Sequence, residues 1–398
     1  MMTTSFARYD GPRLVRRDEL IASEKLFRLC FGGTEIDNET EILANYIPPK
    51  RGGTYILAHQ GKPVSQIGTF HDRIKMYDGD IRTGSIGGVC THPDYRGKQL
   101  ASHLLEYCTR QLVDEGATLM LISGAHEIYT RLGNVPHGRY ISFSIKSEHG
   151  GQSRTTSADL VVRKATEADA LICNQIYQAE PIHFIRRKSD FSKVLHDPMS
   201  NPYIHAEQWI IERSGQAVAY LFLGSEWGVD LKAGIRHVGE YAGSHLALAQ
   251  SLNIVMTANH LKELFWSVAW QDVELIHLLQ GDGYNGTAMP LYGHTLRIIN
   301  FAKFMNDLRP ILRARLDANL LRGLRFEQSG PLLGGLGADQ YAITRGVDRL
   351  QLDGASMTRL IMGNANIEAK SIHLPGALAE IIPTLFPLPS FLPGLNYH

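Results

Sequence analysis

Between Ile86 and Leu112 the sequence leaves little freedom of fold. A β-rich run, Ile86 to Thr91, enters the turn His92-Pro93-Asp94-Tyr95 and then a basic, glycine-bearing corner, Arg96-Gly97-Lys98-Gln99. From there Leu100, Ala101, Leu104, Leu105, Cys108 and Leu112 recur at helical spacing, so the spacing predicts a strand turning sharply into an amphipathic helix. A helix that starts this way aims unpaired backbone N–H groups and the positive end of its dipole at one point. Such points bind anions, phosphates above all. Gly97 lets the main chain come close to a phosphate, and Arg96 and Lys98 add positive charge. The segment reads as a seat for a pyrophosphate. The plainer reading is an ordinary strand-to-helix turn with a basic corner.

A second pattern follows. Leu119-Met120-Leu121-Ile122-Ser123 reads as a buried strand after Gly116, which ends the preceding helix. A short helix then carries Ile128-Tyr129-Thr130-Arg131-Leu132-Gly133-Asn134. The phenol of Tyr129, with an ordinary pKa of about 10, is a candidate proton donor. A packed aromatic ring with its hydroxyl on backbone is the other role open to it.

Composition narrows the class. A chain of 398 residues is expected to form two or three domains, each burying its own core. Lys+Arg and Asp+Glu balance at 40 each, which argues against a field that recruits nucleic acid or an anionic membrane. No apolar run approaches the ~18 residues of a membrane span, and Met1-Met2-Thr3-Thr4-Ser5 lacks a secretory pattern. Cys30, Cys90, Cys108 and Cys173 show no Cys-x-x-Cys spacing, as in a reduced, cytoplasmic protein without a zinc site.

The chain divides into three parts. Residues 1–149 read as an α/β unit: a strand-like Arg13–Arg16, a helix Asp18–Cys30, strands Thr54–His59 and Val64–Phe70, then the two patterns above. A polar linker covers Gly150 to Ser157. Residues 158–293 restart the plan, because Leu160 to Ala170 echoes Arg13 to Leu20, with Thr166 as helix N-cap and Asp169 three residues on. Strand-like Trp209–Arg213 and Ala217–Leu223 follow, joined by Ser214-Gly215. The corresponding corner, Glu240 to His245, carries no Arg-x-x-Gly-x-Ala pattern and is expected not to bind phosphate. Residues 294–398 read as a helix Ile298–Leu312, a strand Tyr341–Thr344, a helix Ala355–Met362 and an apolar, proline-stiffened tail from Leu388 to His398. Free ends are normally polar and frayed, so this tail is expected to dock.

The first pattern resembles the acetyl-CoA loop of the GCN5-related N-acetyltransferases (GNAT), Arg/Gln-x-x-Gly-x-Gly/Ala after a strand ending Val-x-Val-x-Pro. Val89, Thr91 and Pro93 fall near the strand consensus, and Arg96 and Ala101 fill the outer positions. Gln99 stands at the inner glycine; the group used there is a backbone N–H, so helical φ/ψ is expected for it. The resemblance implies that Val89, Cys90, Thr91, Arg96, Gly97, Lys98, Gln99, Leu100, Ala101, Ser123 and Gly124 lie against acetyl-CoA. It also implies that Tyr129 sits near the thioester sulfur as general acid. In architecture the whole chain resembles the enhanced-intracellular-survival (Eis) type. That implies an α+β protein of two tandem GNAT domains, the second degenerate, and a C-terminal domain like sterol carrier proteins. The same resemblance implies a homo-oligomer, a hexamer by analogy, and a chain-terminal carboxylate, here of His398, acting as general base. A tail that only packs remains the alternative.

The function so implied is acetyl transfer to a primary amine, of a small molecule or a lysine, by direct attack on the thioester, without a metal. The other class of reading is a non-catalytic protein that binds acyl-CoA or an apolar ligand. Glu35, Asp37, Glu39 and Glu41 are candidates to line a cleft for a cationic amine, or a solvated acidic face. Gly281-Asp282-Gly283-Tyr284-Asn285-Gly286 matches Gly-x-Gly-x-x-Gly with helix before and strand after, the reverse of a dinucleotide loop. Neither His126-Glu127 nor His205-Ala206-Glu207 completes a metal motif.

Overall fold

The computed structural model describes residues 6–32, 52–147, 159–196, 207–224, 234–330, 339–363 and 372–396. Thirteen strands form one sheet: β1 (Asp10–Leu14), β2 (Gly52–His59), β3 (Lys62–Met76), β4 (Gly79–Thr91), β5 (Leu119–Ser123), β6 (Val135–Lys146), β7 (Leu160–Lys164), β8 (Ile182–Phe184), β9 (Glu207–Arg213), β10 (Gln216–Gly224), β11 (Ile235–Gly243), β12 (Glu263–Ala269) and β13 (Gly286–Ile298). Their order is β1-β2-β3-β4-β5-β13-β6-β12-β11-β10-β9-β7, with β8 on β3. Read from either edge, the pairing repeats. Antiparallel strands lead to one parallel pair, β4 with β5 (Thr83↔Leu119 to Ile86↔Ile122) and β11 with β12 (Ile235↔Glu263 to Val238↔Trp266). At the centre the closing strands are exchanged: β13 pairs with β5, β6 with β12, and the two with each other.

Helices cover both faces. In chain order they are α1 (Leu20–Phe31), α2 (Leu100–Asp114), α3 (Glu127–Arg131), α4 (Ala170–Ala179), α5 (Lys188–His196), α6 (His245–Ala258) and α7 (Val273–Gly281). Alternation along a strand sends successive side chains to opposite faces. In β5, Met120 and Ile122 pack with Leu104, Leu105, Cys108 and Leu112 of α2, while Leu119 and Leu121 face the C-terminal region. β10 behaves alike, with Leu221 and Leu223 beside Leu248 and Leu252 of α6, and Tyr220 and Phe222 on the other side.

The C-terminal region holds α8 (Phe301–Asp307), α9 (Arg309–Arg315), α10 (Ala318–Arg322), α11 (Gly354–Met362) and α12 (Leu378–Leu385) around an antiparallel sheet β14-β15-β16 (Leu324–Ser329, Gln340–Arg345, Asp348–Asp353). The expected helix Ile298–Leu312 is two helices. β13 runs on through Ile298, and Pro310, lacking an N–H, sits in the first turn of a second helix that starts at Arg309. No described helix is long and apolar enough to cross a membrane.

Candidate active site

Strand β4 outruns its parallel neighbour. Its register with β5 ends at Ile86↔Ile122, whereas β4 continues to Thr91, and among the described residues no strand pairs with β4 on that side beyond Ile86. A register shift against β3 between Gln66 and Gly68 marks a bulge, with Gly88 at φ +58 under the ring of Phe27. Bulges bend and twist a strand away from its neighbour. Parallel strands that part at their C-terminal ends open a crevice, the usual ligand position of open α/β sheets. Val89, Cys90 and Thr91 lie on β4 beyond its last pairing with β5; Ser123 and Gly124 stand at the end of β5.

Beyond Thr91, Pro93–Tyr95 makes a 3-10 turn in which His92 Nδ1 accepts the Asp94 N–H at 3.3 Å. Gly97 has φ +73, with open space around a Cβ, so glycine is required there by conformation and not by crowding. Gln99 corrects the expectation of helical φ/ψ: it sits at φ 59, ψ 18, left-handed, immediately before α2. An L-residue there costs roughly 1–2 kcal/mol, which explains a consensus glycine at this position. Gln99→Gly is therefore expected to keep the fold and raise unfolding free energy by up to ~1 kcal/mol, strain relief exceeding the entropy of glycine. Denaturant unfolding checks this, and a loss of stability would contradict it.

No side chain caps the first turn of α2. A missing cap is worth ~1 kcal/mol, whereas each buried Leu contributes roughly 1.5–3 kcal/mol. Leu100, Leu104, Leu105 and Leu112, each at most 1% exposed, therefore fix the helix and leave its N–H donors open to the crevice. Ala101 is half-buried in the same turn. Arg96 is exposed and its Nε donates to the Thr91 carbonyl at 3.3 Å. Lys98 Nζ donates to the Asp94 carbonyl at 2.7 Å and lies 4.6 Å from the Tyr95 ring centroid. Beside them opens a cavity of about 320 Å³ lined by Arg8, Tyr9, His59, Asp94, Tyr95 and Lys98. His59 Nδ1 and the Tyr95 hydroxyl are hydrogen-bonded across it at 2.9 Å. Sequence reasoning missed this wall; His59, closing a strand opposite the basic corner, was its only sequence signal.

Cys90 is buried, and burial together with the neighbouring Cys30 holds its thiol protonated. Such a thiol is no nucleophile. Tyr129 lies on α3, 5% exposed, its ring against Gly124, whose φ is +147; a Cβ there would fall 2.8 Å from Tyr129 Cε2. Asn134 Nδ2 donates to the Tyr129 carbonyl at 3.1 Å, and Thr295 Oγ1 to the Gly124 carbonyl at 3.0 Å. Burial pushes the Tyr129 phenol up to about 12, and among the described residues its hydroxyl has no hydrogen-bond partner. Uncapped backbone donors thus stand beyond the end of β4, and a protonated phenol beyond the end of β5.

The tail is docked. Ser390 Oγ accepts the Arg139 N–H at 2.9 Å, Gln271 Nε2 donates to the Ser390 carbonyl at 2.7 Å, and the Tyr140 hydroxyl donates to the Phe391 carbonyl at 2.5 Å. Phe391 packs 4.6 Å from the buried His137 ring. His398 lies outside the described residues, as do Glu35, Asp37, Glu39 and Glu41. No group of described residues could hold a metal ion.

Residues 12–134 match the family model of the acetyltransferase (GNAT) domain. Among solved structures the chain is similar to a probable N-acyltransferase from Enterococcus faecalis V583, with TM-score 0.67 and 14% identity over 95% of this chain and 97% of that one. It is similar to a GCN5-related N-acetyltransferase from Anabaena variabilis ATCC 29413, with TM-score 0.62 and 12% identity over 97% and 98% of the two chains. Eis1 from Mycobacterium abscessus gives TM-score 0.62 and 12% identity over 94% and 96%. Identities this low establish a shared fold: the sheet is GNAT-like and the likeness runs along nearly the whole chain. No curated protein matches the sequence.

Proposed function

We propose that the chain is an acetyl-CoA-dependent N-acetyltransferase that acetylates a primary amine by direct attack on the thioester. The observation that carries this is the parting of β4 from β5 above an uncapped helix N-terminus. In this reading the N–H groups from Gly97 to Ala101, with Arg96 and Lys98, take the pyrophosphate, and the β4 backbone at Val89, Cys90 and Thr91 pairs with the pantetheine arm. Ser123 and Gly124 flank the thioester. The amine nitrogen bonds to the acyl carbon, the C–S bond breaks, and the Tyr129 hydroxyl gives its proton to the thiolate. The amine proton passes to the α-carboxylate of His398. With Cys90 held as thiol, no acyl-enzyme is needed.

The domain division is part of the proposal: an active unit at 1–149, a degenerate copy at 158–293 and a sterol-carrier-protein-like unit at 294–398. A matched pair of bridges supports the repeat. Arg13 makes paired hydrogen bonds to Glu19 at 2.8 Å each, and Arg163 does the same with Asp169 at 2.8 and 2.7 Å, both between a strand and the helix after it. The phosphate corner is where the copies differ. Ser244 Oγ already accepts the Ala247 N–H at the start of α6, closing one of the donors that α2 leaves open. The Eis-like reading adds a cytoplasmic homo-oligomer, up to a hexamer, which light scattering tests.

Thiol release from acetyl-CoA across a panel of amines, with acetylated products identified by mass, tests the function. Amine-dependent release supports it; binding without turnover on any amine favours the non-catalytic acyl-CoA protein. Arg96→Glu should weaken acetyl-CoA at least tenfold by calorimetry, since a repulsive carboxylate replaces a phosphate partner. Unchanged affinity in the folded variant removes the basis of the site.

A further inference from the structure

The helix that carries Tyr129 is too short to place itself. α3 has five residues, no side-chain cap at His126, and Tyr129 as its one fully buried side chain. Isolated helices of this length are marginal in water, so tertiary contacts decide where its residues lie. Ile128 and Leu132 add half-buried apolar contact, which has no preferred direction. Asn134 closes the segment on itself at the Tyr129 carbonyl; β13 ties it to the rest of the fold. Thr295 Oγ1 donates to the carbonyl of Gly124, ahead of the helix, at 3.0 Å. Arg297 Nη1 donates to the carbonyl of Leu132, the residue that ends it. A cation on the last carbonyls of a helix also meets the negative end of its dipole.

The spacing of the two donors fits the helix they bracket. Thr295 and Arg297 are alternate residues of one strand, so they share a face and stand ~7 Å apart. The five-residue helix is ~7.5 Å long. Gly133, left-handed at φ +83, brings the chain close to the guanidinium, where a Cβ would stand 3.5 Å from Arg297 Nε. Arg297 is held in turn by the C-terminal region. Its Nη2 lies 2.6 Å from Oδ2 of Asp339, just before β15, with the two side chains 3% and 5% exposed. The Asp339 carboxylate rests on Gly354, the first residue of α11, where a Cβ would fall 2.2 Å from Oδ2. A buried pair gains little over apolar packing as a stabiliser. This one fixes a donor on the end of α3.

We propose that Thr295 and Arg297, the latter held by Asp339, are positioning residues that set the place of the Tyr129 hydroxyl for acetyl transfer. This rests on the reading of Tyr129 as the general acid. The placement of the acid then depends on a strand that enters the sheet only after the second unit, and on a carboxylate of the C-terminal region.

Arg297→Met would strand the Asp339 carboxylate in the interior and test folding as much as placement. Thr295→Val keeps shape and charge, and Arg297→Lys keeps a charge for Asp339 but loses the fork that spans two acceptors. Both are made in the full-length protein, alone and on Tyr129→Phe, and assayed with the best acceptor of the amine panel. Each single variant should lower kcat roughly 10–100-fold, as for ~1 Å of misplacement, at an acetyl-CoA KM within about twofold of wild type. On Tyr129→Phe the same changes should cost less than about twofold, because residues that act through one group are not additive. Backbone hydrogen exchange from Ala125 to Gly133 should quicken at least about tenfold in Thr295→Val. A full loss repeated on Tyr129→Phe overturns the positioning role and leaves Tyr129 as the acid. Unchanged kcat or unchanged exchange in Thr295→Val overturns it as well, whether or not Arg297→Lys folds. No loss in Tyr129→Phe itself, or no turnover by wild type on any amine, overturns the reading of Tyr129 and this proposal with it.

Discussion

A chain lengthened by one glycine after His398 is expected to lose at least ~10²-fold in kcat while its melting temperature stays within a few degrees of wild type. The physical reason is placement. The tail is fixed by Ser390, Phe391, Leu395 and Asn396, so an added residue cannot be absorbed upstream. The carboxylate moves by up to one residue length, about 3.5 Å, and a misplacement of ~1 Å can already cost about 10²-fold. His398→Ala keeps length and carboxylate and should retain most activity. Full activity in the lengthened chain, with loss in the alanine variant, would transfer the role of base to the imidazole or to another group.

Tyr129→Phe should slow the chemical step by roughly 10²–10⁴-fold, the usual contribution of a placed general acid. Packing should hardly change, because the ring lies in a buried apolar cluster and close against Gly124, contacts that phenylalanine keeps. With its pKa pushed up to about 12 by burial, the phenol stays protonated at any ordinary assay pH. Any fall in kcat between pH 7 and 10 should therefore come from another group and persist at the same pH in Tyr129→Phe. Single-turnover thiol release measures the step. Near wild-type turnover at saturating substrates would leave Tyr129 a packing residue.

The strand-to-helix corner at Thr91 to Leu100 was legible because hydrophobic period changes there from 2 to 3.6 across a proline and a glycine. The tail was legible for a related reason, apolar residues where a free end would be polar. The exchange of β6 and β13 was not, because alternation reports which face a strand buries and carries nothing about its partner. The helix expected across Ile298–Leu312 failed at Pro310, where spacing persists through a break in hydrogen bonding. Gln99 misled because a backbone role suggested helical geometry, whereas the glycine of the consensus signalled a left-handed one. The buried Arg186–Glu240 bridge was invisible in the sequence. Arg186 and Glu240 are 54 residues apart and look like ordinary surface charges until folding buries them together.

Calorimetric titration of acetyl-CoA into the full chain tests the central claim most directly, that the open corner before α2 holds the co-substrate and the capped corner before α6 does not. One molecule per chain, lost in Arg96→Glu and unaffected by Ser244→Ala, is the predicted result. No binding, two molecules per chain, or one that survives Arg96→Glu and disappears in Ser244→Ala would contradict the account.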